Sequence, residues 1–316
     1  LSNTGTAACL MPVVLGICAA AKIPASRQLM PLAYAAGIGG VITMVGTPPN
    51  IIVSGVLTSF GYESFSFFEF AWIGIPLTFV VIAYMMFIGK YLLPKAELDA
   101  DQEIEQEIEA ASTSSTKQII SGVILALVII TMAVGIPGVS LEIAAITGAL
   151  VCVLTGCLTE KQAYASIDWV TIFLFAGMMP VSTAMDKTGA GKLIAEWAVS
   201  LMGGAPTPII MTSVLFIISC TLTQFMSNTA AAALLAPVGV AISQQLGASP
   251  KAVLMAIGVA ASCAFATPVG TPPCTLVLGP GGYKFMDYVK VGVPLVILCF
   301  IVSIIVIPMV WPFFPG

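Results

Sequence analysis

Histidine is absent from the 316 residues, and arginine occurs once, at Arg27. Without histidine there is no Ser-His or Cys-His nucleophile pair and no histidine proton relay. No CxxC pair occurs, and there is no histidine to complete a zinc site. Cys9, Cys18, Cys152, Cys157, Cys220, Cys263 and Cys299 lie inside apolar runs, where small thiols simply pack. One arginine and no basic cluster give nucleic acid nothing to hold. Charge is scarce too: 8% of residues are charged and 59% hydrophobic, where a soluble domain carries about 25% charged residues. A soluble fold of this length cannot cover itself with so little charge. The composition therefore predicts a multi-pass, all-α protein of the cell inner or plasma membrane, with the lipid bilayer as its first partner. Net charge is −4, but seven of the fifteen acids lie between Glu97 and Glu109, so the low pI says nothing about partners.

What the chain does contain is a copy of itself. Ser2-Asn3-Thr4 returns as Ser227-Asn228-Thr229, and Gly46-Thr47-Pro48-Pro49-Asn50 as Gly270-Thr271-Pro272-Pro273-Cys274. Between the landmarks Ala7-Ala8 matches Ala232-Ala233, and Pro12-Val13 matches Pro237-Val238. Paired hydrophobic segments interrupted by Gly and Pro at corresponding positions are the sequence mark of a secondary transporter's binding site.

Apolar runs approach the ~20 residues needed to cross a bilayer at 6–21, 29–46, 72–93, 119–134, 143–158, 170–185, 207–225, 230–242, 252–268 and 291–311. The second Ser-Asn-Thr lies between two apolar arms with no charge near it, which predicts a re-entrant hairpin with its tip at membrane depth. Each Thr-Pro-Pro is expected to break a helix, because Pro cannot donate and pushes its predecessor out of helical geometry. Non-helical backbone at that depth is tolerated only where protein buries it or a cavity borders it. Residues 62–72, 187–197 and 283–290 mix charge with apolar spacing and read as interfacial helices. The domain reading is a first repeat over 1–94, an acidic linker over 95–117 and a second repeat over 118–316. Lys90, Lys95 and Lys117 flank the linker and place it on the cytoplasmic side. Glu142 opens an apolar run and reads as an interfacial residue.

A Ser-Asn-Thr tip offers two hydroxyls, an amide and freed backbone groups. Hydroxyl and carbonyl oxygens suit a hard cation, while N–H groups at a helix start suit an anion. Thr47 and Thr271 add hydroxyls, and the breaks expose carbonyls at Gly46 and Gly270. No ionisable side chain lies in either motif, which points to cation coupling rather than a proton relay. A lone Ser-Asn-Thr is more often an N-cap; its duplication beside paired Thr-Pro-Pro carries the functional reading.

On these motifs the chain resembles the divalent anion/sodium symporter family, which includes sodium-coupled dicarboxylate, citrate and sulfate carriers. The resemblance covers essentially the whole chain. It implies an inverted-repeat elevator-type transporter with re-entrant hairpins and two broken helices, working as a homodimer and not as an enzyme. It further implies that helices precede Ser2 in a longer protein. By position, Ser2, Asn3 and Gly46 would serve one sodium site, and Thr223, Ser227, Asn228 and Gly270 the other. Substrate would meet Asn3, Thr4, Thr47, Asn228, Thr229, Thr271 and Pro272. Cys274 departs from the pattern set by Asn50. The expected cargo is a C4-dicarboxylate co-transported with sodium ions. A sodium-independent dicarboxylate exchanger and a sulfate or citrate carrier of the same fold stand as alternatives.

Overall fold

The computed structural model describes residues 2–94, 115–134, 139–167, 169–201, 203 and 206–314. Most of the expected 95–117 linker lies outside these residues, and its last three residues begin a helix. The described residues are helical, with no strand among them. Helices long and apolar enough to cross a membrane are Asn3–Ala21, Ala71–Leu92, Thr116–Val134, Asn228–Leu246 and Phe285–Val310.

The chain divides into two units, Leu1–Ala100 with Phe173–Gly316, and Asp101–Ile172. In the smaller unit, α5 (Ser115–Val134) packs on α6 (Leu141–Leu154). Gly148 lets the Val128 side chain press against the α6 backbone. Ser140 caps α6, and Glu142 sits in its first turn, where a negative charge suits the helix dipole. A short helix, α7 (Glu160–Ala165), follows behind a Thr159/Gln162 capping box. Next comes α8 (Trp169–Thr188).

The larger unit holds both copies of the repeat. Its first copy comprises α1 (Asn3–Ala21), α2 (Leu29–Gly39), α3 (Pro48–Ser59) and α4 (Ala71–Tyr84), which continues through a π-turn to Leu92. The second comprises α10 (Pro208–Thr223), α11 (Asn228–Leu246), α12 (Pro250–Ala261), α13 (Pro272–Leu278) and α14 (Phe285–Val310). Before them, α9 (Ala190–Leu201) packs along α11.

The Pro pairs sit differently from expectation. They begin the second half-helix rather than end the first. Pro48 and Pro272 occupy the opening positions of α3 and α13, where a missing N–H costs nothing and φ is already helical. The preceding threonines are extended to the same degree, Thr47 at φ −142, ψ 140 and Thr271 at φ −140, ψ 137. Helix ends some eight to ten residues earlier: α2 stops at Gly39 and tightens to a 3₁₀ turn through Ile42, and α12 stops at Ala261. Each break is therefore a stretch of irregular chain, not a kink. Residues 62–70 also differ from the expected interfacial helix. They form a loop and turn that bury Phe65 and Phe70, tied down by a 2.5 Å contact between Ser54 Oγ and Ser64 Oγ. Residues 283–290 are instead the approach to, and first turns of, α14.

The half-helix beyond each break crosses to the other repeat. α3 packs on α11 and α12, with Ile52 set among Ala231, Ala232, Ala233 and Ala261. α13 packs on α1 and α2. Small residues let the backbones close up, as helices in lipid require.

Both breaks are buttressed by a further matched element that motif reading overlooked. Ile73-Gly74-Ile75-Pro76-Leu77 in α4 matches Val291-Gly292-Val293-Pro294-Leu295 in α14. A side chain on Gly74 would come 2.8 Å from Ile42 Cα of the first break. One on Gly292 would run into the Phe265 carbonyl of the second. The match extends upstream. Ser66 N–H donates to Glu69 (2.9 Å) and Lys284 N–H donates to Asp287 (2.8 Å), each acid holding the amide three residues before it. Overpacking a tight contact costs about 1–3 kcal/mol. Gly292→Ala is therefore expected to lower the protein's melting temperature in detergent, whereas Gly279→Ala, with open space around it, leaves it unchanged.

Candidate functional site

Both serines of the Ser-Asn-Thr tips are helix N-caps. Ser2 Oγ accepts from Gly5 N–H at 3.1 Å and Ser227 Oγ from Ala230 N–H at 3.2 Å, a contact worth about 1 kcal/mol. The serine side chains are exposed, while the asparagines that follow turn inward, each only 5% exposed. The tripeptide thus divides its work: serine starts the helix, and asparagine points at the break.

In the first copy, Asn3 N–H donates to the Gly46 carbonyl (3.2 Å). Asn3 Oδ1 accepts from Thr4 N–H (2.8 Å). A Cβ on Gly40 would stand 2.7 Å from the Gly46 oxygen and 3.4 Å from Asn3 Cβ, so Gly40, Gly46 and Asn3 close around one point. In the second copy the arrangement is denser. The Asn228 amide lies 2.8 Å from the Gly270 carbonyl, 3.1 Å from the Ala261 carbonyl and 2.7 Å from Thr223 Oγ1. Thr223 Oγ1 also donates to the Ala261 carbonyl (2.8 Å). With its nitrogen turned inward, the Asn228 amide donates to all three oxygens. With its oxygen turned inward, Asn228 Oδ1 accepts from Thr223 Oγ1 (2.7 Å) and faces the Gly270 and Ala261 carbonyls with no proton between them.

Gln224 is the residue that sequence reasoning missed. Its Nε2 donates to the Cys220 (3.0 Å) and Cys263 (3.1 Å) carbonyls, and its Oε1 accepts from Ala266 N–H (3.0 Å). Thr267 Oγ1 donates to the Gln224 carbonyl (2.7 Å) and accepts from Gly270 N–H (3.2 Å). The hairpin tip therefore takes over the hydrogen bonds that the irregular chain cannot make for itself. Its only sequence signal was a lone amide in an arm whose other polar residues carry hydroxyls. Tyr34 serves the same end, its Oη donating to the Phe265 carbonyl, while Tyr288 Oη donates to the Cys274 carbonyl inside α13, both at 2.7 Å. Asn50 supports the first break by donating to the Val41 (3.3 Å) and Thr43 (3.0 Å) carbonyls. Its counterpart Cys274 cannot; in the second break Tyr34 holds the Phe265 carbonyl, which matches that of Val41.

Five buried polar side-chain atoms among the described residues have no partner, Asn50 Oδ1 and Ser303 Oγ among them, and two of the five occupy equivalent positions of the repeats. Thr47 Oγ1 and Thr271 Oγ1 are buried, and neither makes a hydrogen bond. Buried polar side chains are normally paired, and an orphaned hydroxyl costs about 1–3 kcal/mol. Here the same defect occurs at the same position of both repeats. Of the remaining expected site residues, Thr4 and Thr229 are half-buried at the helix starts, while Pro272 is exposed. The structure brings Thr223, Asn228 and Gly270 together, and likewise Asn3 and Gly46. Among the described residues no cluster of three His, Cys, Asp or Glu side chains could hold a metal, and neither ion pair found there involves these residues.

Spanning helices with two matched, non-helical breaks, each answered by a Ser-Asn-Thr helix start that presents neutral oxygens, make the architecture of a secondary transporter. Residues 1–250 and, in a second overlapping match, 225–314 align with the citrate transporter family. The chain belongs to that family; it is a multi-pass membrane transporter and not an enzyme. An uncharacterized transporter of Haemophilus influenzae is 34% identical over 320 positions, covering 96% of this chain and 68% of the relative. One from Methanocaldococcus jannaschii is 30% identical, covering 94% of this chain and 67% of the relative. The sodium-dependent dicarboxylate transporter SdcS of Staphylococcus aureus is 27% identical over 310 positions, covering 91% of this chain and 59% of SdcS.

Proposed function

We propose that the protein carries a small dianion, a C4-dicarboxylate, across the membrane together with sodium ions, as part of a homodimer whose transport element moves elevator-fashion. The observation that carries this reading is the pair of orphaned hydroxyls, Thr47 and Thr271, at equivalent mouths of two irregular breaks. Two donors presented from two repeats match a substrate with two carboxylates. Thr4, Thr229, Asn3 and Asn228 supply further polar contact from the tips, and Pro272 an apolar edge.

Sodium enters through charge. A dianion at this site meets no Arg or Lys, and the Pro pairs strip two N–H donors from the start of α3 and of α13. Neutral oxygens must therefore gather a cation to balance it. Thr223, Asn228 and Gly270, with Ser227 starting the helix, would form one such cage; they now stand 2.7–3.1 Å apart at hydrogen-bond spacing, so a cation with ligand distances of about 2.4 Å would spread them and replace those bonds. Asn3 and Gly46, with Ser2, form the second. The name of SdcS supports both halves of the reading.

The test is uptake of labelled succinate, citrate and sulfate by the intact protein in liposomes, with an inward sodium gradient or with choline in its place. Succinate uptake should exceed the others and disappear in choline. Equal uptake in choline, stimulated by succinate loaded inside, would establish the sodium-independent exchanger instead.

A further inference from the structure

Arg27 is the only arginine of the chain, and the transport site does not use it. It ends the short 3₁₀ turn Ala25–Arg27 between α1 and α2. A cavity of about 570 Å³ opens beside it, lined by Arg27, Lys90, Tyr91 and Leu93. Among the described residues the lining brings two cations together with no acid. Arg27 Nε is shut off from solvent and makes no hydrogen bond. Lys90 forms no ion pair among the described residues; its Nζ rests 5.0 Å from the centroid of the Tyr91 ring.

Snorkelling accounts for Lys90 taken alone, since a lysine at the end of a span reaches for the headgroups. It does not account for Arg27. A guanidinium nitrogen held out of water without an acceptor is a group waiting for one. The loop is also not free to swing away. Ser26 Oγ donates to the Pro94 carbonyl (2.9 Å), Tyr283 Oη donates to the Ser26 carbonyl (2.7 Å), and Met30 N–H donates to Tyr283 Oη (2.8 Å). The cleft is thus a fixed feature, pinned from both repeats.

Its depth identifies the acceptor. Lys90, Tyr91 and Leu93 lie at the end of the candidate span Ala71–Leu92, and Tyr91 is 76% exposed, as aromatic residues at headgroup level are. Arginine binds phosphate through a planar fork, lysine as a point charge. The geometry points to a binding site for the phosphate of an anionic membrane phospholipid, held by Arg27 and Lys90 with its glycerol against Tyr91 and Leu93. Basic pockets between helix ends at a membrane surface take such headgroups.

Native mass spectrometry of the intact protein in detergent tests this, with phosphatidylglycerol, phosphatidylcholine and inorganic phosphate as the added probes. The parent should retain phosphatidylglycerol over phosphatidylcholine and keep no adduct of inorganic phosphate. The double substitution Arg27→Gln/Lys90→Gln should cut that preference roughly tenfold or more, the size expected of two interfacial cations. Arg27→Lys, which keeps the charge but loses the planar fork, should fall between the parent and the double variant. Should the double variant fail to fold, Lys90→Gln alone, at an exposed position, must still lower the preference. A parent that retains both lipids equally, or a folded variant with unchanged preference, overturns the site. Phosphate bound as tightly as phosphatidylglycerol overturns the lipid assignment and leaves a soluble-anion site. So does preference that appears only after removal of residues 97–109, which would make the chain's own acids the occupant.

Discussion

Asn228→Ala is expected to abolish sodium-driven uptake while the protein still inserts and stays folded. The Asn228 amide is the one side chain within hydrogen-bonding distance of the Gly270 carbonyl, the Ala261 carbonyl and Thr223 Oγ1 together. Truncation removes one of the four groups that converge there and leaves a void where the cation would sit. Even residues that only support a metal ligand change affinity by about 10–100-fold when lost; losing a direct ligand should raise the sodium concentration for half-maximal uptake by roughly a hundredfold or more. Thr223 keeps its bond to the Ala261 carbonyl, so the end of α10 remains anchored to α12. The measurement is uptake against sodium concentration, beside a thermal melt of the same preparation. A normal sodium curve from a folded Asn228→Ala protein would remove Asn228 from the cation site. A collapse in melting temperature with a normal curve would make its role purely structural.

Much of this site was legible because membrane physics leaves marks that few residues can make. A polar triplet between apolar arms and a Thr-Pro-Pro inside an apolar run are both costly in lipid, so finding each twice located the tips and the far edge of each break. The position of the break itself was not legible. Pro-Pro is as compatible with starting a helix as with stopping one, and only the structure shows that α2 ends at Gly39 and α12 at Ala261, well upstream of the Pro pairs. Pro268 bars its predecessor Thr267 from helical geometry, but nothing in the residues from Ser262 to Ala266 forbids a helix. What holds them open is tertiary: Gln224 and Tyr34 take their carbonyls and amides, and the Gly292 backbone occupies the space beside Phe265. Gly74 and Gly292 could have been found by extending the repeat past its polar landmarks, through the shared Gly-x-Pro. They were hidden because a Gly in an apolar span reads as ordinary packing. The serine caps show the opposite case, where local propensity alone gave the outcome: Ser before a helix start behaved as Ser does in any protein.

The second large effect concerns substrate rather than ion. Thr47→Val and Thr271→Val should each weaken dicarboxylate affinity by about ten- to a hundredfold, since losing a hydrogen bond to a charged group costs roughly 1.5–3 kcal/mol. Valine keeps the shape of threonine and removes the hydroxyl. In neither case does it break a bond the protein itself makes, because neither hydroxyl has a partner. Relieving a buried orphan should, if anything, raise the melting temperature of each variant slightly. Loss of affinity joined to equal or greater stability is the pattern of a group kept for a ligand. A structural threonine would show the reverse, a drop in stability with transport affinity unchanged. If the two hydroxyls bind the two ends of one dianion, the substitutions should differ by substrate. Against a monocarboxylate of similar length, one of the two should lose its effect. The double variant should fall short of the sum of the single losses for succinate, because a substrate released at one end is already poorly placed at the other. Apparent KM for succinate in the parent, both single variants and the double variant, each at saturating sodium, gives the answer directly. Unchanged KM in both single variants would place Thr47 and Thr271 in the packing of the breaks and move the substrate elsewhere.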